Sequence, residues 1–192
     1  QMCIRDRPRL VTHPFTLKRQ SFQNPGDIGD LFSEEGMGRH FEVITGRNPV
    51  WITDNLVFLG EIERTNSFEG KTPFGRIVRD GIEEDDFMIE DSAMVYKSRD
   101  GLVIITGCSH SGICNIVEYA TKICGDDRIV DIVGGFHLLD PPQQQLQHTI
   151  DRLKAKKPAT VHACHCTDFK SKLVLAGSFN LGEVGVGLSL RY

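Results

Sequence analysis

From residue 41 onward, hydrophobic and polar positions fall into short regular runs. "FEVIT" (41–45), "PVWITDNLVFLGEI" (49–62), "AMVYK" (93–97) and "LVIITG" (102–107) predict strands, the last so uniformly apolar that it belongs in mid-sheet. In "SGICNIVEYATKIC", Ile113, Ile116, Val117, Ala120 and Ile123 recur at helical spacing, Ser111 is placed to cap, and "IVDIVGG" follows as a strand. The unit then repeats. Asp140 suits an N-cap, Pro141 the first helical position and Gln143 a capping box, with Leu146, Ile150 and Leu153 as the buried stripe. "ATVHA" (159–163) is the next strand. A third helix, "DFKSKLVLAG", carries Phe169, Leu173 and Ala176 on one face, and "EVGVGLSL" closes as a final strand. The pattern predicts an α/β fold with helices covering an extended sheet.

The first third is less regular, with "QNPGDIGD" and "EEGMGRH" reading as loops, and residues 63–91 form a long polar segment of the kind that is functional or mobile. The opening "QMCIRDR" has no periodicity and is set aside, leaving one domain over residues 8–192. A formal charge of -4 gives no basic surface for a nucleic acid, and Lys154, Lys156 and Lys157 read as a solvated helix end. No run approaches the roughly 18 apolar residues of a membrane span, and no secretory start is visible, so a cytoplasmic protein with its six cysteines reduced is expected. There is no Gly-x-Gly-x-x-Gly or Walker-type loop.

The chemistry lies at three strand ends. "ITGCSH" ends at His110, "IVGGFH" at His137, and "HACHC" carries His165, at spacings of 27 and 28 residues, one strand–helix unit each. Parallel strands bring their C-terminal ends to one sheet edge, so the three imidazoles are expected to converge. One histidine alone would read as an ordinary core or surface residue; three at equivalent points read as metal ligands or general bases. Cys164 and Cys166 flank His165, and strand alternation would send both thiols to the opposite face, as packing residues. His162 reads as structural, His148 as solvent-facing, and His13 and His40 lie outside the pattern. A thiol redox role has no Cys-x-x-Cys pair to support it.

"TGCSHSGICNIVEYA", "IVGGFHLL" and "CHCTDFK", with "VFLGEIERTNSFE" upstream, resemble the metallo-β-lactamase superfamily, in particular its dihydropterin ribofuranosylaminobenzene phosphate synthase-like branch. The resemblance implies an αββα sandwich with two metal ions at the sheet edges. The superfamily's first motif, His-x-His-x-Asp-His, has no counterpart, so the chain is expected to be the C-terminal part of such a domain, truncated at its N-terminus and inactive and poorly soluble alone. By position, His110 falls at a metal-bridging ligand, His165 matches the final ligand, and His137 is either a ligand or the catalytic acid/base. The upstream segment would line the substrate pocket, Arg64 clamping an anionic group and Glu61 orienting it; a surface ion pair is the plainer alternative. The implied cofactor is a divalent metal, zinc before iron or manganese, two ions in the full-length protein. The implied activity is hydrolysis of an ester, lactone or phosphoester-type bond in a small, possibly anionic substrate, with neither nucleic acid nor membrane as partner. A pterin-linked condensation and a non-catalytic remnant are the alternatives.

Overall fold

The sheet grows from the most apolar run of the chain. The computed structural model describes residues 7–17, 20–21, 34–79 and 81–192. The first part comprises β1 (Arg9–Thr12), β2 (Gln20–Ser21), α1 (Glu34–Gly38), β3 (Glu42–Thr45), β4 (Val50–Thr53), β5 (Leu56–Phe58), β6 (Arg76–Arg79) and β7 (Ile82–Asp85). The second comprises β8 (Ala93–Lys97), β9 (Leu102–Thr106), α2 (Ile113–Cys124), β10 (Ile129–Gly135), α3 (Gln143–Lys156), β11 (Thr160–Cys164) and α4 (Phe169–Ala176). Six strands form the main sheet in the order β11-β10-β9-β8-β5-β4. β9, β10 and β11 are mutually parallel, whereas β8, β5 and β4 add antiparallel. Short β1–β3 and β2–β6–β7 sheets lie apart from it.

Burial follows the pattern. Leu102, Val103 and Ile104 are buried on β9, and the α2 stripe of Ile113, Ile116, Val117 and Ala120 packs with Val57, Val95, Ile132, Ile150 and Leu153 into one core. Each fully buried aliphatic side chain here stabilises by roughly 1.5–3 kcal/mol relative to exposure. Gly125 ends α2 in the left-handed conformation, its N–H donating to the Thr121 carbonyl. His162 packs beside a structural contact: its Nδ1 lies 2.7 Å from Asp131 Oδ2, and the Tyr192 hydroxyl donates to that oxygen at 2.6 Å, tying Tyr192 to β10. Among the described residues no helix is long and apolar enough to cross a membrane.

Several elements differ from the pattern. The run 49–62 is a hairpin, β4 and β5 meeting through a turn at Asp54 and Asn55, where Thr53 Oγ1 accepts the Asn55 N–H. "EEGMG" forms the single helical turn α1. The long polar segment hides the β6–β7 hairpin, whose Arg76 pairs with Glu83 and Asp85 across the strands. "EVGVGLSL" is no strand: its alternate glycines present no side chains to a neighbour, and the bridge of Leu181 to Val161 lies just before it. On α4 the expected apolar face points outward, Phe169 being 74% and Leu173 58% exposed, while Ser171 and Leu175 face inward. Apart from Arg7, the opening "QMCIRDR" lies outside the described residues, as does "QNPGDIGD".

Candidate metal centre

The parallel arrangement brings the C-terminal ends of β9, β10 and β11 to one edge, and each strand leaves it through a left-handed residue. Ser109 (φ 61°), His137 (φ 52°) and His165 (φ 47°) all lie in this region. Non-glycine residues held there cost of order 1–3 kcal/mol each and cluster at functional sites. The bends are fixed by hydrogen bonds. Ser109 Oγ donates to the Gly135 carbonyl at 2.6 Å and lies 3.0 Å from Thr106 Oγ1. Thr167 Oγ1 accepts the Phe136 N–H, and Leu138 N–H donates to the Cys166 carbonyl.

His110 and His137 meet, their ring centroids 4.6 Å apart. Phe74, from the long polar segment, stands edge-on to His110 at 4.5 Å and tilted to His137 at 5.5 Å. With Phe68, Lys71 and Gln145 these side chains line a cleft of about 190 Å³. Burial holds His137 below the ordinary histidine range, opposed by the field of Asp91, so the neutral imidazole needed by a ligand or a base is favoured. Its Nδ1 is buried with no hydrogen-bond partner among the described residues. Such a nitrogen is costly to sequester unless something completes it.

His165 belongs to a second group. Its ring, the Cys108 thiol and the Cys166 thiol offer ligand atoms that all lie within 4.8 Å of one another. The expectation that the thiols oppose the histidine fails for Cys166, because β11 ends at Cys164 and the left-handed turn at His165 breaks strand alternation. Cys164 stays outside the group. Gly135 makes the approach possible: a Cβ there would lie 2.6 Å from Cys166 Sγ and 2.7 Å from the Gly107 carbonyl oxygen. The described cysteines are all free. Imidazole with thiol donors suits a divalent ion such as zinc, and the bare Nδ1 of His137 offers a further ligand, so these residues fit the metal that the motifs imply.

The long segment supports the site from behind. Arg64 donates to the carbonyls of Gly70 (3.1 Å), Phe87 (2.6 Å) and Met88 (3.1 Å), so its fork holds the protein's own backbone. Glu61 faces His13 Nε2 at 3.2 Å and Arg47 at 3.4 Å. Glu61 and Arg64 line a groove of about 540 Å³ that shares Gly70, Lys71 and Phe87 with the histidine cleft.

Two helix starts differ from expectation. Gly112, at φ 99°, occupies the N-cap of α2, and the buried Glu69 carboxylate accepts the Cys114 and Asn115 N–H groups. Ser111 donates its hydroxyl and its N–H to Asp91 instead. A Cβ on Gly112 would collide with Glu69. α3 begins at Gln143 after Pro142, without a side-chain cap, because Asp140 has turned left-handed and donates its N–H to Asp168 Oδ2. Phe74, Asp91 and Glu69 are residues around the site that the sequence does not single out, and Cys166 is read there as a packing residue; only the aromatic within a polar loop and the acidic run ending at Asp91 hint at the first two.

No protein-family model matches the chain. It is 30% identical over 145 residues to 7,8-dihydropterin-6-methyl-4-(beta-D-ribofuranosyl)-aminobenzene-5'-phosphate synthase of Methanocaldococcus jannaschii, covering 71% of this chain and 47% of that protein. An uncharacterized protein of the same organism is 32% identical over 139 residues, covering 71% of this chain and 50% of its own length. The chain thus spans about half the length of these curated relatives. The crystal structure of Tm1679, a metal-dependent hydrolase of the β-lactamase superfamily, superposes with a TM-score of 0.83 at 25% identity, covering 97% of this chain and 72% of that one. Strand-end histidines, sheet order and both kinds of similarity agree, and the chain belongs to the metallo-β-lactamase superfamily.

Proposed function

We propose that this chain contributes the β9–β11 edge of a cytoplasmic metal-dependent enzyme that uses activated water to cleave an ester, lactone or phosphoester-type bond in a small anionic substrate. The observation that carries the reading is the meeting of His110 and His137 in a cleft where His137 keeps a buried nitrogen without a hydrogen-bond partner among the described residues. His110 and His165 would hold a divalent ion, with zinc the first choice and a second ion in the full-length protein, which would supply a water of lowered pKa and polarise the scissile bond. His137, kept neutral by burial, either joins them or moves the proton between water and leaving group. Phe74 limits water around the pair, and Lys71 supplies the positive charge for an anionic substrate. Arg64 sets the loop, and Glu61 stands at the adjoining groove, where a remote part of the substrate would lie.

The similarity to the dihydropterin-linked synthase favours a second reading, condensation at the same cleft. Assaying the full-length, metal-loaded protein against phosphoesters and lactones, with and without a pterin partner, separates the two. Under the hydrolytic reading, Lys71→Ala raises KM for anionic substrates, and His137→Asn lowers kcat by about 10²–10⁴-fold, the range typical of a general acid–base. Metal retained by His137→Asn assigns that residue to proton transfer; metal lost assigns it as a ligand. A product formed only with the pterin supports condensation.

A further inference from the structure

We infer that Cys108, His165 and Cys166 form a thiolate–imidazole site for a soft divalent cation, zinc in the first instance, beside the His110–His137 cleft. The inference deepens the metal-centre reading and rests on it for the class of ion. Neither thiol carries a role in the reading above, yet the structure builds a specific place for both. Around a tetrahedral zinc, with Zn–S near 2.3 Å and Zn–N near 2.0–2.1 Å, ligand atoms sit roughly 3.3–3.8 Å apart. The three atoms here lie within 4.8 Å, so small side-chain rotations bring them to that spacing.

The group is held ready by its surroundings. His137 N–H donates to Cys166 Sγ at 3.3 Å, and the Cys166 thiol donates to the Cys108 carbonyl at 3.1 Å. When an ion takes both sulfurs, the two thiol protons leave to solvent and the bond to the Cys108 carbonyl is lost. The His137 amide bond remains and becomes a charge-assisted donor to a thiolate, the kind of supporting contact that orients metal ligands. Because Gly135 has no side chain, Cys166 Sγ can occupy this place. Two thiolates and one imidazole leave the fourth tetrahedral position for water or substrate, the donor count of a reactive rather than a purely structural zinc site. The same amide makes His137 the covalent link between this site and the cleft, its ring in one and its backbone on the other.

The test is a cobalt titration of the full chain, purified metal-free in reductant, read by thiolate-to-cobalt charge-transfer absorption in the near ultraviolet. The expected result is a saturable band that Cys108→Ser or Cys166→Ser reduces by at least half and His165→Gln shifts to about 10–100-fold higher cobalt or more. Cys164→Ser, His110→Asn and His137→Asn leave the band in place. Should the cysteine variants fail to fold, the unsubstituted protein answers instead: zinc must protect Cys108 and Cys166, and not Cys164, from iodoacetamide, as read by peptide mass. Cobalt bound without the band overturns the thiolate site and leaves the histidine reading standing, whereas no cobalt bound at all overturns both. A Cys108–Cys166 disulfide that persists in reductant and excludes the ion also overturns it.

Discussion

The two sides of the strand-end edge are held by different means. The Cys108–His165–Cys166 group depends on short-range geometry: left-handed turns, a glycine opposite a sulfur, and amides aimed at Sγ and Oγ. The His110–His137 cleft depends on a segment far away in sequence, which delivers Phe74 to the rings while Glu69 anchors it to the start of α2. Damage to the long segment should therefore open the cleft and spare the thiol group, and damage at the glycine should do the reverse.

The largest effect is expected from Glu69→Ala. It strands the Asn66 amide and the Cys114 and Asn115 N–H groups, all of which are buried, at a cost of about 1–3 kcal/mol for each unsatisfied group. Urea unfolding should show a loss of about 3 kcal/mol or more, whereas Asp168→Ala, which removes the cap on Ser171 N–H in α4 and the acceptor of the solvent-exposed Asp140 N–H, should cost about 1 kcal/mol. Equal losses would erase the contrast between distant and local support.

Gly135→Ala comes next. Its Cβ must displace Cys166 Sγ or the β9 end, and about 1–3 kcal/mol of overpacking strain should accompany loss of the cobalt–thiolate band. Normal cobalt spectra from this variant would mean that the sulfur is not where the argument needs it.

Phe74→Ala should cost only about 0.5–1.5 kcal/mol, the worth of its ring contacts, and leave the thiol group unchanged. It should also raise the His137 pKa toward the ordinary value by admitting water, as followed by NMR titration of the ring proton.

The smallest effect is a pH dependence. His137 titrates lower in the folded chain than its ordinary 6.5, so between the two values the unfolded chain binds more protons. Its contribution to the stability of the metal-free protein is whole above pH 6.5 and declines as pH falls toward the folded value. His137→Asn should flatten that part of the stability profile.

Much of this architecture is legible in the residues. β8 to β11 and α2 are read nearly to the residue, because continuous apolar runs and a helical stripe leave no competing period. The β6–β7 hairpin is masked because its strands, Arg-Ile-Val-Arg and Ile-Glu-Glu-Asp, are stabilised by cross-strand charge rather than burial. The final strand is over-read because Val-Gly-Val-Gly imitates alternation without side chains to pack. At the strand ends, equal spacing places His110, His137 and His165 at one sheet edge, where the rings of His110 and His137 meet and His165 groups with the thiols. Cys166 is read as a packing residue because strand alternation is carried past the end of β11 through His165, which is in fact left-handed. Glu69 could not be found at all, since it caps a helix 45 residues further along the chain.

The most direct test of the metal centre is anomalous diffraction at the zinc edge from crystals of the full chain grown with zinc. The account predicts a peak at the β9–β11 edge within about 2.0–2.3 Å of donors drawn from His110, His137, His165, Cys108 and Cys166. Zinc bound elsewhere, with that edge empty at saturating metal, would contradict it.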